Sequence, residues 1–147
     1  MQNPNVEESY KTMTIIWAAM IFSQLMLLIV VYFAKPEVYR FDFSKPVLGD
    51  NAGLIVAFAA IAVVNLAVSF VMKKRSLQQA IEKQQIGLVQ TGQILAYAFC
   101  EAVSLLGIVL AFAFSYQYFF VWAALGIVGI VLHFPRRDDL IAASYKK

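Results

Sequence analysis

The sequence predicts an all-α integral membrane protein, a bundle of four transmembrane helices with both termini in the cytoplasm. Of its 147 residues, 61% are hydrophobic and 14% are charged, whereas soluble domains have about 45–50% apolar and about 25% charged residues. The mean hydropathy of +0.71 favours a bilayer as the surrounding solvent. Four long apolar runs and an uneven distribution of lysine and arginine complete the prediction.

Each of the four apolar runs is long enough, or nearly so, to cross a membrane. A spanning helix needs about 20 apolar residues, because the hydrocarbon core is about 30 Å thick and each residue rises about 1.5 Å. The predicted spans are 14–34, 52–72, 93–114 and 118–134, with a cytoplasmic loop at 73–92. Glu101 is the only charged residue inside these spans. We therefore expect a single four-helix domain over residues 1–147.

Lysine and arginine predict the orientation, because cytoplasmic segments carry an excess of them. One side of the bundle receives the N-terminal segment, the loop 73–92 and the C-terminal segment. Its basic residues are Lys11, Lys73, Lys74, Arg75, Lys83, Arg136, Arg137, Lys146 and Lys147. The other side has Lys35, Arg40 and Lys45, all between the first two spans. Both termini are therefore expected in the cytoplasm, and a bacterial inner membrane is the predicted location.

Basic residues follow directly after the second span. Lys73, Lys74 and Arg75 are candidates for contact with anionic lipid headgroups, and a topology signal on a solvated helix end is the alternative. The glutamine-rich segment 77–93 has apolar residues at helical spacing and is expected to extend the third helix into the cytoplasm. A net charge of +3, spread over separate segments, predicts no nucleic acid partner.

The composition excludes several classes of site. A single cysteine, Cys100, cannot form an internal disulfide or a thiolate metal site. A single histidine, His133, cannot build a multi-histidine metal or haem site, and we expect it at the membrane interface. The sequence has no glycine-rich phosphate loop and no serine, histidine and aspartate set. No metal, no cofactor and no enzymatic activity are therefore predicted.

Glu101 is the candidate ion-binding residue. It lies eight residues after Gln93, about 12 Å along the helix and within the hydrocarbon. An ionised carboxylate is costly there and no span contains lysine or arginine, so the side chain is expected to stay protonated until a partner or an access path arrives. Its expected neighbours are Tyr97 and Ser104 on the same helix face, and Asn65 at a similar depth on the second helix.

A structural role for Glu101 is the alternative to ion binding. In that interpretation the protonated carboxyl group is a polar contact that ties the third helix to Asn65, or to Gln24 on the first helix. Interhelical polar contacts of this kind contribute about 1 kcal/mol or less each. The residue pattern alone is consistent with both roles.

The third span also resembles a known family. Residues 94–112 read ILAYAFCEAVSLLGIVLAF, with Ala98 three residues before Glu101, Ala102 directly after it and Gly107 six residues after it. This pattern is similar to the carboxylate-bearing helix of the rotor-ring proteolipid, the c subunit of rotary ATP synthases. The resemblance implies that the second and third spans form that family's helical hairpin and that Glu101 is a proton carrier.

Three functions are consistent with these observations. The first is a small membrane subunit of an oligomeric complex, a proteolipid-like proton carrier that uses Glu101. The second is a non-catalytic accessory or scaffolding subunit of a larger membrane complex. The third is a small proton-coupled exporter that works as a dimer, although such exporters generally have the acid in the first helix. In each case the expected partners are the lipid bilayer and other protein chains, either copies of this chain or different subunits.

Overall fold

The computed structural model describes residues 4–49 and 51–144, which form helices and no strands. The helices are α1 (Pro4–Ala34), α2 (Ala52–Lys83), α3 (Ile86–Phe114), α4 (Phe120–Leu132) and α5 (Arg137–Ser144). Two short 3-10 helices, Pro36–Tyr39 and Gln117–Phe119, follow α1 and precede α4. The all-helical fold class is thus confirmed for the described chain. Lys146 and Lys147, counted above among the basic residues, lie outside the described residues.

Helices α1, α2 and α3 are long and apolar enough to cross a membrane. Their 31, 32 and 29 residues exceed the roughly 20 residues that the hydrocarbon core requires. Their outward faces are apolar, and Phe22, Phe33 and Val63 expose 61%, 78% and 66% of their surface. Exposure of a continuous apolar surface of this kind to water costs free energy, whereas exposure to lipid does not. The fold is therefore that of a membrane protein.

Helix α3 is the centre of the bundle. It packs against α1, α2, α4 and α5, and 44% of its apolar stretch is buried, compared with 11% in α1 and 17% in α2. Its close approach to the start of α4 depends on Gly107. A Cβ atom there would lie 2.6 Å from the Cβ of Trp122 and 2.7 Å from the carbonyl oxygen of Phe119. Small residues allow this close packing, as in many helix pairs in lipid.

The segment 73–92, predicted as a loop, is helical except at Gln84 and Gln85. Residues 77–83 belong to α2, so the predicted extension of the third helix is found only after this turn. Gln84 adopts the left-handed conformation with a φ of 54°, and the N–H of Gln85 donates to the carbonyl of Ala80 (3.0 Å), which ends α2. The helical conformation expected for 77–93 is thus found except at Gln84 and Gln85, because alanine, glutamine, leucine and lysine favour helix where no proline interrupts them.

The fourth apolar run forms a shorter helix than predicted. The predicted span 118–134 begins in a 3-10 helix, continues as α4 and leaves the helix after Leu132. Pro135 lacks an N–H and disfavours helical conformation in the residue before it, and the chain bends by 48° into α5. The described residues thus contain three unbroken candidate spans and one bent helix pair that passes the same test. Helix α5 had not been predicted.

Helix α5 packs under one end of the bundle, which we call the α5 end. The apolar residues that join it to α1, α2 and α3 there are Val6, Met13, Ala80, Val89, Leu140 and Ala143. At the surface, Nη2 of Arg137 lies 2.6 Å from Oε2 of Glu7 on α1. The opposite end, which we call the loop end, consists of residues 35–49 and the turn 115–119.

Candidate functional site

Glu101 lies on α3 at the edge of its buried face. Tyr97 and Ser104, one turn before and one turn after it, are buried, whereas Ala98 and Leu105 are exposed. Glu101 itself is half-buried, and no described residue forms a hydrogen bond or an ion pair with it. Because successive helix residues are about 100° apart, this position lies where the bundle meets its surroundings. The carboxyl group is therefore at a boundary rather than in the core.

The three residues expected around Glu101 bond to other groups. Asn65 Nδ2 donates to a carbonyl one turn earlier on its own helix (3.0 Å). Ser104 Oγ donates to the carbonyl of Ala123 on α4 (3.4 Å). Tyr97 is directed at the end of α4, as described below. The structure does not bring these residues together as a site, and the interhelical tie to Asn65 is not formed.

An unpartnered polar group is buried on α1. Gln24 is 2% exposed, and its Nε2 has no hydrogen-bond partner among the described residues. Trp17 Nε1 donates to the carbonyl of Ile130 (2.9 Å), which sets the register of α1 against the antiparallel α4. Gln24, seven residues after Trp17, and Ala123, seven residues before Ile130, therefore lie at about the same level. This level is about one helical turn beyond Glu101, because Ala123 accepts the bond from Ser104 just described.

Side chains from other helices bond to the carbonyl groups at the end of α4. Gln93 Nε2 donates to the carbonyl oxygen of His133, and Tyr97 OH donates to the same oxygen (3.3 Å). Gln93 Nε2 also donates to the hydroxyl oxygen of Tyr97 (2.9 Å). The last carbonyls of a helix have no helical partner, and lipid cannot supply one. These donors therefore stabilise the break between α4 and α5.

His133 is fully buried among side chains of the bundle at the end of α4. Its ring packs against Phe70 with centroids 4.4 Å apart. Its Nδ1 lies 2.7 Å from the carbonyl oxygen of Gly129, which makes Nδ1 the protonated nitrogen, since a carbonyl only accepts. The Nε2 atom has no partner among residues 4–49 and 51–144. Gly126, Gly129 and His133 recur at the spacing of one helix face, and this spacing was the available signal.

At the loop end, the turn before α4 holds the connection between α1 and α2. Tyr116 OH donates to the carbonyl of Val47 (2.7 Å), and Tyr118 OH donates to that of Lys45 (3.1 Å). Burial raises the pKa of Tyr116, with a further contribution from Tyr118, so its hydroxyl stays a donor at neutral pH. These contacts between the turn and the loop were not predicted from the sequence.

The candidate lipid-contact residues differ in their surroundings. Lys74 and Arg75 are exposed on α2 at the α5 end, whereas Lys73 is half-buried. Lys73 interacts electrostatically with Asp139 and Arg136, which follow the bend after α4. Lys74 and Arg75 are thus the two of the three that are open to lipid headgroups. The described residues contain no group of three or more histidine, cysteine, aspartate or glutamate side chains that could hold a metal ion.

Comparison of the chain with protein-family models, with curated proteins and with solved structures finds no match. The functional interpretation therefore depends on the chain's own residues. Among them, Glu101 combines an ionisable group, a position within a candidate span and the absence of any hydrogen bond or ion pair in the described chain. It is the residue on which a function is best argued.

Proposed function

We propose that this protein is a small integral membrane subunit of an oligomeric complex, in which Glu101 meets a partner chain and carries a proton. The proposal includes four membrane crossings, made by α1, α2, α3 and the bent α4. The α5 end lies on the cytoplasmic side of a bacterial inner membrane in this proposal. Lys74, Arg75 and Arg136 are exposed at that end, and basic residues are retained on the cytoplasmic side.

One observation carries the proposal: Glu101 is half-buried within a candidate span and has no partner among the described residues. A polar group in hydrocarbon costs free energy unless it is paired, and an ionised one costs more. Ser104 and Asn65 have side-chain groups of suitable type, yet they bond to backbone carbonyls. A carboxyl group at the lipid-facing edge of the bundle is accessible to a neighbouring chain, and that chain completes its hydrogen bonding.

Proton transfer follows from the change in surroundings that Glu101 undergoes. While it faces lipid, the neutral acid is favoured because hydrocarbon does not solvate a carboxylate. Contact with a cation or a water path of the partner favours the carboxylate, and the proton leaves. Return to lipid then requires a new proton. The resemblance of Ala98, Glu101, Ala102 and Gly107 to the c-subunit pattern supports this role. Gln24 on α1 adds an unpartnered hydrogen-bond donor at a depth about one helical turn from that of Glu101.

A hydrophobic carbodiimide tests the state of Glu101, because this reagent enters the bilayer and reacts with protonated carboxyl groups. We expect one label per chain in liposomes, measured by intact mass and mapped to Glu101 by peptide analysis. Glu101→Gln should abolish this labelling. Glu82→Gln is the matched control, since Glu82 is an exposed acid on α2, and it should label as the wild type does. Equal labelling of wild type and Glu101→Gln would contradict the proposal.

The oligomeric state separates proton transfer from a purely structural role. Native mass of the gently solubilised protein, with everything that co-purifies, should show a defined oligomer or complex. Glu101→Gln should leave that assembly intact and abolish proton uptake by reconstituted liposomes, because glutamine keeps the shape and loses the titrating group. Loss of the assembly in Glu101→Gln would instead support an accessory subunit in which Glu101 is a packing contact.

A further inference from the structure

The loop end contains a cavity of about 230 Å³ that opens at the surface of the bundle. Its walls come from the connection between α1 and α2, the first turn of α2, the end of α3 and the turn before α4. The polar side chains in the lining belong to Lys45, Asn51, Ser115, Tyr116, Gln117 and Tyr118. Its apolar lining comes chiefly from Leu54, Ile55, Leu110 and Phe114. The cavity is therefore lined by both polar and apolar side chains.

Hydrogen bonds hold the walls of this cavity in place. Tyr116 OH bonds to the carbonyl of Val47 and Tyr118 OH to the carbonyl of Lys45, so the loop wall is fixed to the turn before α4. Binding sites for small ligands are usually formed before the ligand arrives. Here the two tyrosine hydroxyl groups donate to backbone carbonyls of the loop, so other polar groups of the lining are the ones that can bind a ligand.

The polar groups that remain open to a ligand are a cation and neutral donors. Neither the Lys45 ammonium nor the Asn51 amide forms a hydrogen bond or an ion pair with any described residue, although the charge of Lys45 interacts with the exposed carboxylate of Asp42. Among the described residues, the Ser115 hydroxyl takes part only in a long bond, which it accepts from Lys35 (3.5 Å). A lysine acts as a point charge for phosphate, and amide and hydroxyl donors complete the coordination of its oxygens. The chemistry of this wall fits a phosphate anion.

We propose that this cavity binds the phosphate group of an anionic phospholipid, with Lys45 as its cation and the apolar wall against the start of the acyl chains. The volume supports a headgroup, because whole drug-sized ligands occupy about 300–1,000 Å³. The position also supports it, since the cavity lies where the ends of two candidate spans, at Leu54 and Phe114, meet the polar loop end. Free phosphate shares the recognised chemistry, and the experiment distinguishes the two sources.

Three probes separate phosphate recognition from apolar binding. Delipidated protein in detergent is titrated with dioctanoyl phosphatidylglycerol, with dioctanoylglycerol, which lacks the phosphate, and with inorganic phosphate. Thermal shift gives the apparent Kd, and native mass spectrometry gives the stoichiometry. We expect one phosphatidylglycerol per chain, no stabilisation by dioctanoylglycerol, and weaker binding of inorganic phosphate. Equal affinity for phosphate and phosphatidylglycerol would assign the site to the free anion.

Variants test the role of Lys45. Lys45→Gln should weaken phosphatidylglycerol binding about tenfold, as expected for the loss of one charge-assisted hydrogen bond, and Lys45→Arg should restore most of it. Arg40→Gln is the matched control, because Arg40 is an exposed cation of the same connection that does not line the cavity. Equal weakening by Lys45→Gln and Arg40→Gln, or stabilisation by dioctanoylglycerol equal to that by phosphatidylglycerol, would overturn the proposal.

Discussion

Gln117 and Asp42 are joined by two hydrogen bonds between a side-chain amide and a backbone peptide. The N–H of Asp42 donates to Oε1 of Gln117 (3.0 Å), and Nε2 of Gln117 donates to the carbonyl of Asp42 (2.7 Å). One residue precedes α4 and the other belongs to the connection between α1 and α2. Together with the bonds from Tyr116 and Tyr118, this pair therefore links the two connections of the loop end.

Substitution of Gln117 by leucine should loosen the loop end. Both hydrogen bonds are lost, and because the site is only partly buried, water replaces them in part. We expect a decrease in stability of about 1–2 kcal/mol, measured by reversible unfolding in mixed micelles. Hydrogen exchange of residues 41–49 should accelerate in the same variant. Gln79→Leu, at an exposed position on α2, should change neither measurement. Unchanged exchange in Gln117→Leu would show that the pair does not restrain the loop.

Removal of Gln93 should destabilise the end of α4. Gln93→Leu leaves the buried carbonyl of His133 with only the longer bond from Tyr97 (3.3 Å), and a buried polar group that loses its partner costs about 1–3 kcal/mol. Tyr97→Phe removes this longer bond and the bond that Tyr97 accepts from Gln93, but it keeps the bond from Gln93 to the His133 carbonyl and should cost less. Unfolding of the two variants in mixed micelles gives both values. A larger effect of Tyr97→Phe than of Gln93→Leu would contradict this ranking of the two donors.

Gly107 should not tolerate a larger side chain. In Gly107→Ala the new Cβ would meet the Cβ of Trp122 at 2.6 Å and the backbone oxygen of Phe119 at 2.7 Å, so α3 and α4 must separate. We expect a loss of about 1–3 kcal/mol, as for other overpacked cores. Gly87→Ala is the control, because nothing lies within 4 Å of its added Cβ, and it should be neutral or stabilising. Equal stability of the two variants would show that the close approach of α3 and α4 at Gly107 does not limit the size of the side chain there.

The membrane helices could be predicted from the sequence, whereas their ends could not. Runs such as 52–72 identify a span because length and hydropathy are properties of the run itself. The bounds of α2 and the presence of α5 depend on contacts that are distant in sequence. Leu140 and Ala143, for example, pack with Val6 and Val89. No local sequence pattern predicts these contacts.

The candidate site was predictable in depth but not in orientation. Glu101 could be placed within the third span by counting residues, because each residue adds about 1.5 Å. Its partners could not be predicted, since Asn65 and Ser104 have backbone carbonyls within reach and polar side chains in membrane helices often bond to them. Which face of α3 meets α4 is decided by packing at Gly107 and Gly126, a tertiary property.

Acid should weaken the loop end through Asp42. Hydrogen bonds from the hydroxyl and the N–H of Ser44 (2.6 and 3.0 Å), with the charge of Lys45, hold the pKa of the Asp42 carboxyl below its usual value. Because the pKa is lower in the folded state than in the unfolded state, the ionised form stabilises the fold. This stabilisation is complete above the unfolded pKa of about 3.9 and is lost as the pH decreases through the folded pKa.

Ser44→Ala tests this linkage, because it removes the strongest of these interactions and leaves the backbone donor. The pKa of Asp42, measured by carbon NMR of its carboxyl group, should rise towards the usual value in Ser44→Ala and should stay low in Ser44→Thr, which keeps a hydroxyl. Accelerated hydrogen exchange of residues 41–49 should accordingly begin at a higher pH in Ser44→Ala than in the wild type. A pKa that is the same in Ser44→Ala and in the wild type would mean that the hydroxyl does not hold the carboxylate, and the acid sensitivity of the loop would then have another origin.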